Sequence, residues 1–155
     1  MKKYWLFKSE PDVFSIDNLI ELPQSSSTWE GIRNYQARNY LRDDVSIGDE
    51  VFFYHSRVKP IGIVGTMEVI KKGYPDHFSF EKESLYYDEK SKKDSPTWFM
   101  VDVKFQRKFN NVITLSDLKK YSILSKMIVL QKGSRLSIQP VTETEYKFIL
   151  NNLSS

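Results

Sequence analysis

The chain has 155 residues, which is long enough for one domain with its own hydrophobic core and short for two. Hydrophobic residues make up 40% of the chain and charged residues 28%, a balance typical of a soluble globular protein. The formal net charge of +3 permits a polyanionic partner without requiring one, and the absence of cysteine excludes disulfides, thiolate metal ligands and a cysteine nucleophile.

From these properties we expect a single domain over residues 1–155. The apolar run at residues 4–7 is too short for a signal sequence or a membrane span. A cysteine-free chain also fits a reducing compartment. We therefore expect a cytoplasmic, monomeric protein that does not contact a membrane.

The first half of the chain predicts strands and two short helices. Residues 4–7 are β-prone and Pro11 stops regular pairing soon after them. Ser15 is placed to cap a short helix, and residues 23–28 form a polar loop. A second helix is predicted from Asn34 onward.

The rest of the chain, from residue 50 onward, predicts a two-stranded hairpin, a surface segment, a further strand and two capped helices. Residues 50–55 and 61–70 predict the hairpin, residues 72–96 a long surface excursion with a short strand near 85–87, and residues 98–105 an alternating strand. Thr114 and Thr142 each precede an acidic residue at capping-box spacing. Residues 131–140 predict a loop and a short strand.

Residues 29–39 contain aromatic, amide and arginine side chains more densely than a core requires. A helix from Asn34 onward places Ala37, Tyr40 and Leu41 on one arc suited to burial. The opposite arc holds Asn34, Tyr35, Arg38, Asn39 and Arg42. An aromatic ring beside hydrogen-bonding groups is what a nucleobase requires. The residues alone fit two interpretations equally, a nucleobase surface or core aromatics with a solvated face.

No motif of a metal site or a nucleotide-hydrolysing site is found. His55 and His77 are the only histidines, and no acidic metal loop accompanies them. Gly62 and Gly65 do not complete a nucleotide-binding fingerprint, and no serine lies in a nucleophile elbow. We therefore expect no catalytic residue, no cofactor and no metal.

Four separated segments resemble, in order, those of the EVE domain family: residues 4–11, 29–39, 53–56 and 133–140. The resemblance extends over nearly the whole chain. It implies an α+β, PUA-like fold, a small mixed β-barrel or strongly curved sheet with flanking short helices, related to YTH and ASCH domains. It also implies a non-catalytic reader that holds a flipped or single-stranded modified base, such as a modified cytosine in DNA.

The resemblance implies that Trp29 is the stacking wall of the base pocket, with Ser9 and Asn39 near the edge of the base. Lys8 and Glu10 belong to the same matched segment, and we extend the predicted pocket to them. We add six further residues to the predicted base pocket because of their positions. Asn34, Tyr35 and Arg38 lie on the polar arc of the helix, and His55, Ser56 and Gln139 lie at the ends of matched segments. The cations predicted to hold phosphates are Arg33, Arg38, Arg42, Lys132 and Arg135.

Simpler roles remain open for some of these residues. His55 is equally explained as a hydrogen-bonded histidine at a strand end, and Arg135 is equally explained as the ion-pair partner of a surface acid. Two other functions are also open. The first is an RNA-binding module, which PUA and YTH relatives would allow, and the second is an enzyme acting on nucleotides through carboxylates such as Glu10 or Glu30.

Overall fold

The computed structural model describes residues 1–155 and contains one six-stranded mixed sheet. The strands are β1 (Tyr4–Ser9), β2 (Ser26–Trp29), β3 (Glu50–His55), β4 (Gly62–Pro75), β5 (Phe99–Thr114) and β6 (Ile138–Val141), in the spatial order β2-β5-β4-β3-β1-β6. Strands β1 and β3 are parallel, and every other neighbouring pair is antiparallel.

The sheet is strongly curved but not closed. Three strands separate β2 from β1 in the sheet order, yet the ring of Trp29 on β2 lies 5.5 Å from the ring of Phe7 on β1. Register irregularities along the β4–β5 pair accompany this curvature, as expected of bulges that bend long strands. The α+β prediction therefore takes the form of a curved open sheet and not a closed barrel.

Four short helices flank the sheet: α1 (Ile16–Glu21), α2 (Tyr35–Asn39), α3 (Leu115–Leu118) and α4 (Glu143–Asn152). Ser15, Thr114 and Thr142 form capping boxes at α1, α3 and α4, because each hydroxyl accepts the N3 amide while the N3 side chain accepts the cap amide. Helix α2 continues as a π-helical turn over Tyr40–Asp44. No helix is both long enough and apolar enough to cross a bilayer.

The central strands are buried on both faces, since successive side chains of a strand point to opposite sides. Trp5 and Phe7 of β1 join a first core layer that also contains Trp29 and is covered by α1 and α2. Tyr4 and Leu6 join a second core layer that is covered by α3 and α4. The site described below opens beside the first layer.

Four sequence predictions of local structure were wrong. The polar residues before Trp29 form part of β2, an edge strand that pairs only with β5 and lacks the apolar alternation of an ordinary strand. Residues 85–87 do not form a strand, and β4 continues to Pro75, into the predicted surface segment. Strand β5 likewise continues to Thr114, well beyond residue 105.

Candidate functional site

A cleft of about 780 Å³ opens between the carboxyl ends of β1 and β3 and the chain around Trp29. Ser9 pairs with His55 at the end of the parallel β1–β3 pair, so Ser9 and Ser56 reach the same edge of the sheet. The remaining lining residues are Lys8, Glu10, Val13, Phe14, Ser27, Thr28, Glu30, Gly31, Ile32, Arg57, Tyr86, Arg135 and Ser137. The cleft thus joins polar strand ends to an aromatic floor.

Trp29 lines this cleft, but its side chain belongs mostly to the core. The residue is only 5% exposed, and its ring lies 5.3 Å from Phe53, 5.5 Å from Phe7 and 5.9 Å from Phe14. Trp29 is therefore a core aromatic residue, as one of the two interpretations predicted, and it also forms part of the cleft wall. Its role in stacking on a base stays a prediction.

The charged groups of the cleft are unequally compensated. Glu10 lies 3.1 Å from the guanidinium of Arg57, and Glu30 accepts a 2.6 Å hydrogen bond from the Thr28 hydroxyl. Lys8 and Arg135 form no ion pair within 4.0 Å, but the Lys8 ammonium lies 5.8 Å from the centroid of the Tyr54 ring, which belongs to the second core layer. Burial lowers the pKa of the Lys8 ammonium, because desolvation disfavours its charged form. Of the cations in the lining, Arg135 therefore remains available to an acceptor-rich ligand.

Ser9 and Ser56 also lie in the cleft. The Ser9 hydroxyl donates a 2.6 Å hydrogen bond to the carbonyl of Phe14, which leaves its oxygen lone pairs to accept from a ligand. Of the predicted base and phosphate contacts, the structure brings together Lys8, Ser9, Glu10, Trp29, Ser56 and Arg135.

Residues that sequence reasoning missed complete one wall of the cleft. Asp76 is fully buried and accepts hydrogen bonds from the amides of Gly31 and Phe78, both at 3.0 Å, and from Arg33 Nη1 at 3.1 Å. Arg33 Nη2 in turn donates to the carbonyl of Tyr86 at 2.6 Å, which fixes the Tyr86 segment against the wall. The predicted phosphate contact of Arg33 is not supported, because Asp76 already neutralises its guanidinium.

Gly31 permits this wall to form. It has a φ of +83°, and a Cβ built on it would lie 2.5 Å from the Tyr86 ring. Glycine is the residue that such a backbone conformation favours, whereas the nearby aromatic ring and the buried carboxylate carried no recognisable sequence signal.

The structure does not place the α2 residues in the cleft. Asn34 caps α2 by accepting from the Ala37 amide at 2.9 Å, and Tyr35 stacks on Trp98 with ring centroids 5.1 Å apart. Arg38 donates to the carbonyl of Thr97 at 2.6 Å and to Asn39 Oδ1 at 2.8 Å. The helical arc was predicted correctly as polar, but it faces residues 97–98 and not the Trp29 cleft.

Four other predicted residues also lie outside the lining. His55 Nε2 accepts a 3.1 Å hydrogen bond from the Ile16 amide, and burial lowers the pKa of the imidazole. Gln139 is 1% exposed and donates to the Leu136 carbonyl at 2.7 Å. Arg42 pairs with Asp43 at 2.8 Å, and Lys132 is an exposed loop residue. None of the four side chains reaches the cleft in this structure.

No group of three or more histidine, cysteine, aspartate or glutamate side chains is arranged to hold a metal ion. The cleft itself contains two carboxylates, and both are already engaged by neighbouring side chains. Its arrangement suits hydrogen bonding to a polar ring more than metal coordination.

Comparison with known proteins gives a consistent relationship. The model of the EVE domain matches residues 3–152. Human thymocyte nuclear protein 1 is 44% identical over 97% of this chain and 74% of its own length.

Solved structures agree with that relationship. A hypothetical protein from Leishmania major superposes with a TM-score of 0.91 at 46% identity, covering 97% of this chain and 93% of its own. The human THYN1 protein, in complex with DNA containing 5-methylcytosine, superposes with a TM-score of 0.90 at 45% identity and covers 96% of each chain. Fold and sequence are therefore related over the full length of the domain.

Proposed function

The chain belongs to the EVE domain family, and from this membership we propose that it is a non-catalytic module that recognises a modified base, a modified cytosine in DNA. One observation carries the proposal. A protein of the same fold, 45% identical to this chain, is in complex with DNA containing 5-methylcytosine. The base would enter the cleft beside Trp29 as a flipped or single-stranded nucleotide.

The dimensions and chemistry of the cleft support this assignment. Its volume of about 780 Å³ lies within the range typical of pockets that hold small ligands. Cytosine presents carbonyl and ring-nitrogen acceptors and one amino donor. Arg135 supplies donors for the acceptors, and the carboxylates of Glu10 and Glu30 can accept from the amino group.

Free-energy arithmetic shows why edge contacts must set the selectivity. Extruding a base costs a few kcal/mol, and stacking on an aromatic side chain returns about 1–3 kcal/mol. Burying one added methyl group contributes about 0.8 kcal/mol, or nearly a fourfold preference. Because little of the Trp29 ring is exposed, contacts from Ser9 and Arg135 would provide the rest.

The test is a titration of the protein with oligonucleotides that differ only at one base. We expect tighter binding to DNA with 5-methylcytosine than to the same DNA with cytosine, and tighter binding than to the matched RNA. Equal affinity for the modified and unmodified strands would overturn the proposal. Preference for the RNA strand would favour the RNA-binding alternative.

A variant that removes one positive charge from the cleft tests whether the nucleic acid binds there. Arg135→Gln should weaken binding of the modified strand, because the guanidinium removed lines the cleft and has no acidic partner in the protein. Lys126→Gln is the matched control, since Lys126 is an exposed lysine between Leu124 and Met127 of the second core layer. Equal losses in the two variants would assign the effect to overall charge and not to the cleft.

The non-catalytic part of the proposal has its own measurement. We expect stoichiometric binding and unchanged oligonucleotide after long incubation. A product that forms in the wild type but not in Glu10→Gln or Glu30→Gln would contradict it. We also propose a monomer that acts in the cytoplasm, which light scattering and cell fractionation would check.

A further inference from the structure

A second aromatic surface lies outside the cleft, on the side of α2. Tyr35 stacks on Trp98 with centroids 5.1 Å apart and an interplanar angle of 27°. The guanidinium of Arg38 lies 5.1 Å from the Tyr35 ring. We call Tyr35, Trp98 and Arg38 the platform.

The platform is connected to the cleft by consecutive contacts. Tyr86 lines the cleft, and the Arg33 guanidinium lies 5.7 Å from its ring. The same guanidinium lies 5.3 Å from the Trp98 ring, on which Tyr35 stacks. Three consecutive contacts thus join the cleft to the platform, and a nucleic-acid strand that leaves the cleft along this wall can span them.

The members of the platform differ in how far the protein already uses them. Trp98 is 5% exposed, and its indole nitrogen donates to Asp88 at 2.7 Å, which explains its position structurally. Tyr35 is 62% exposed. Arg38 bonds only to a carbonyl and an amide oxygen, so its charge has no acidic partner within 4.0 Å. Fold stability explains Trp98 but leaves the exposed ring and the uncompensated charge without a role.

We propose that the platform binds a nucleotide adjacent to the recognised base, with Tyr35 stacking on its base and Arg38 contacting its phosphate. An exposed ring beside an uncompensated guanidinium matches a nucleotide, which combines a flat base with an anionic group. This inference rests on the proposed function of the cleft, because it supposes that a strand leaves that site.

The experiment compares two probes on the same protein. One is the 5′-monophosphate of 5-methyldeoxycytidine, and the other is a single-stranded oligonucleotide with that base at its centre. Tyr35→Ala should weaken oligonucleotide binding about 5- to 150-fold, the range for loss of one stacked base, and leave the monophosphate unchanged. Arg38→Gln should reduce the slope of oligonucleotide affinity against log salt by about one contact.

Matched variants separate the platform from general effects. Tyr35→Phe keeps the ring and should retain oligonucleotide affinity. Ile47→Ala removes another exposed apolar side chain, 66% exposed, in the turn before β3 and should change neither probe. Because Tyr35 is mostly exposed, Tyr35→Ala should remain folded, with its melting temperature lowered only by the loss of the ring stacked on Trp98.

Two results would overturn the platform. In the first, Tyr35→Ala binds the oligonucleotide as tightly as the wild type does. In the second, it weakens both probes equally, which would indicate an indirect effect on the cleft. Failure of the cleft proposal would give a different result. The wild type would then bind the modified and the unmodified oligonucleotide equally, and Tyr35→Ala would still weaken the binding of both oligonucleotides.

Discussion

The two faces of the sheet carry equally aromatic core layers with different surroundings. In the second layer the ring of Tyr146, on α4, stacks on Phe52 with centroids 3.9 Å apart and lies 4.7 Å from Tyr4. In the first layer Trp29 contacts phenylalanine rings in a similar way but borders a cleft. Aromatic density therefore does not identify a site. What distinguishes the first layer is that two of its aromatic residues, Trp29 and Phe14, form part of the wall of the cleft.

The largest expected effect comes from Trp29→Ala. The side chain is 5% exposed and packs against three phenylalanine rings, so its removal should lower the free energy of unfolding by about 3–5 kcal/mol. Preference for a modified base should also disappear. Denaturant unfolding and the oligonucleotide titration measure the two effects.

Phe52→Ala is the comparison variant from the second layer. Phe52 is fully buried, so a stability loss of similar size, about 3–5 kcal/mol, is expected. The folded fraction of this variant should keep the wild-type preference for the modified base. Loss of that preference in both variants would mean that general destabilisation, and not the cleft, controls binding.

A smaller effect is expected from Asp76→Asn, which breaks the connection between the cleft wall and the Tyr86 segment. The fully buried carboxylate accepts from Arg33 and from the Gly31 amide, and one hydrogen bond to a charged group is worth about 1.5–3 kcal/mol. A stability loss of that size should accompany weaker base binding, because Tyr86 loses its anchor. Asp94→Asn, at an exposed position of the same segment, should change neither.

Local features of the fold were predictable because their signals are contiguous in sequence. Ser15, Thr114 and Thr142 cap helices as expected, since a capping box depends on residues only three positions apart. The strand at residues 50–55 was equally clear from its apolar run. Strand β2 was not, because it is stabilised by pairing with β5, far away in sequence.

The candidate site was predictable to the extent that its residues lie at ends of matched segments. Lys8, Ser9 and Trp29 reach the cleft by that criterion. Asp76 and Tyr86 could not be found, since the curvature of the sheet and the fold of residues 76–98 bring them to the wall. The polar arc of α2 was recognisable, but periodicity does not specify which surface a helix faces.

The smallest effect is expected in the second layer, from Tyr146→Phe. The Tyr146 hydroxyl is buried and has no hydrogen-bond partner in the protein, and burial raises the pKa of the phenol. Removing an unpaired buried hydroxyl while keeping the ring stacked on Phe52 should leave stability unchanged or raise it by about 1 kcal/mol, a rise of roughly 2–4 °C in melting temperature. Base binding should not change. A clear loss of stability would show that a buried water satisfies this hydroxyl, and the second layer would then contain a polar site of its own.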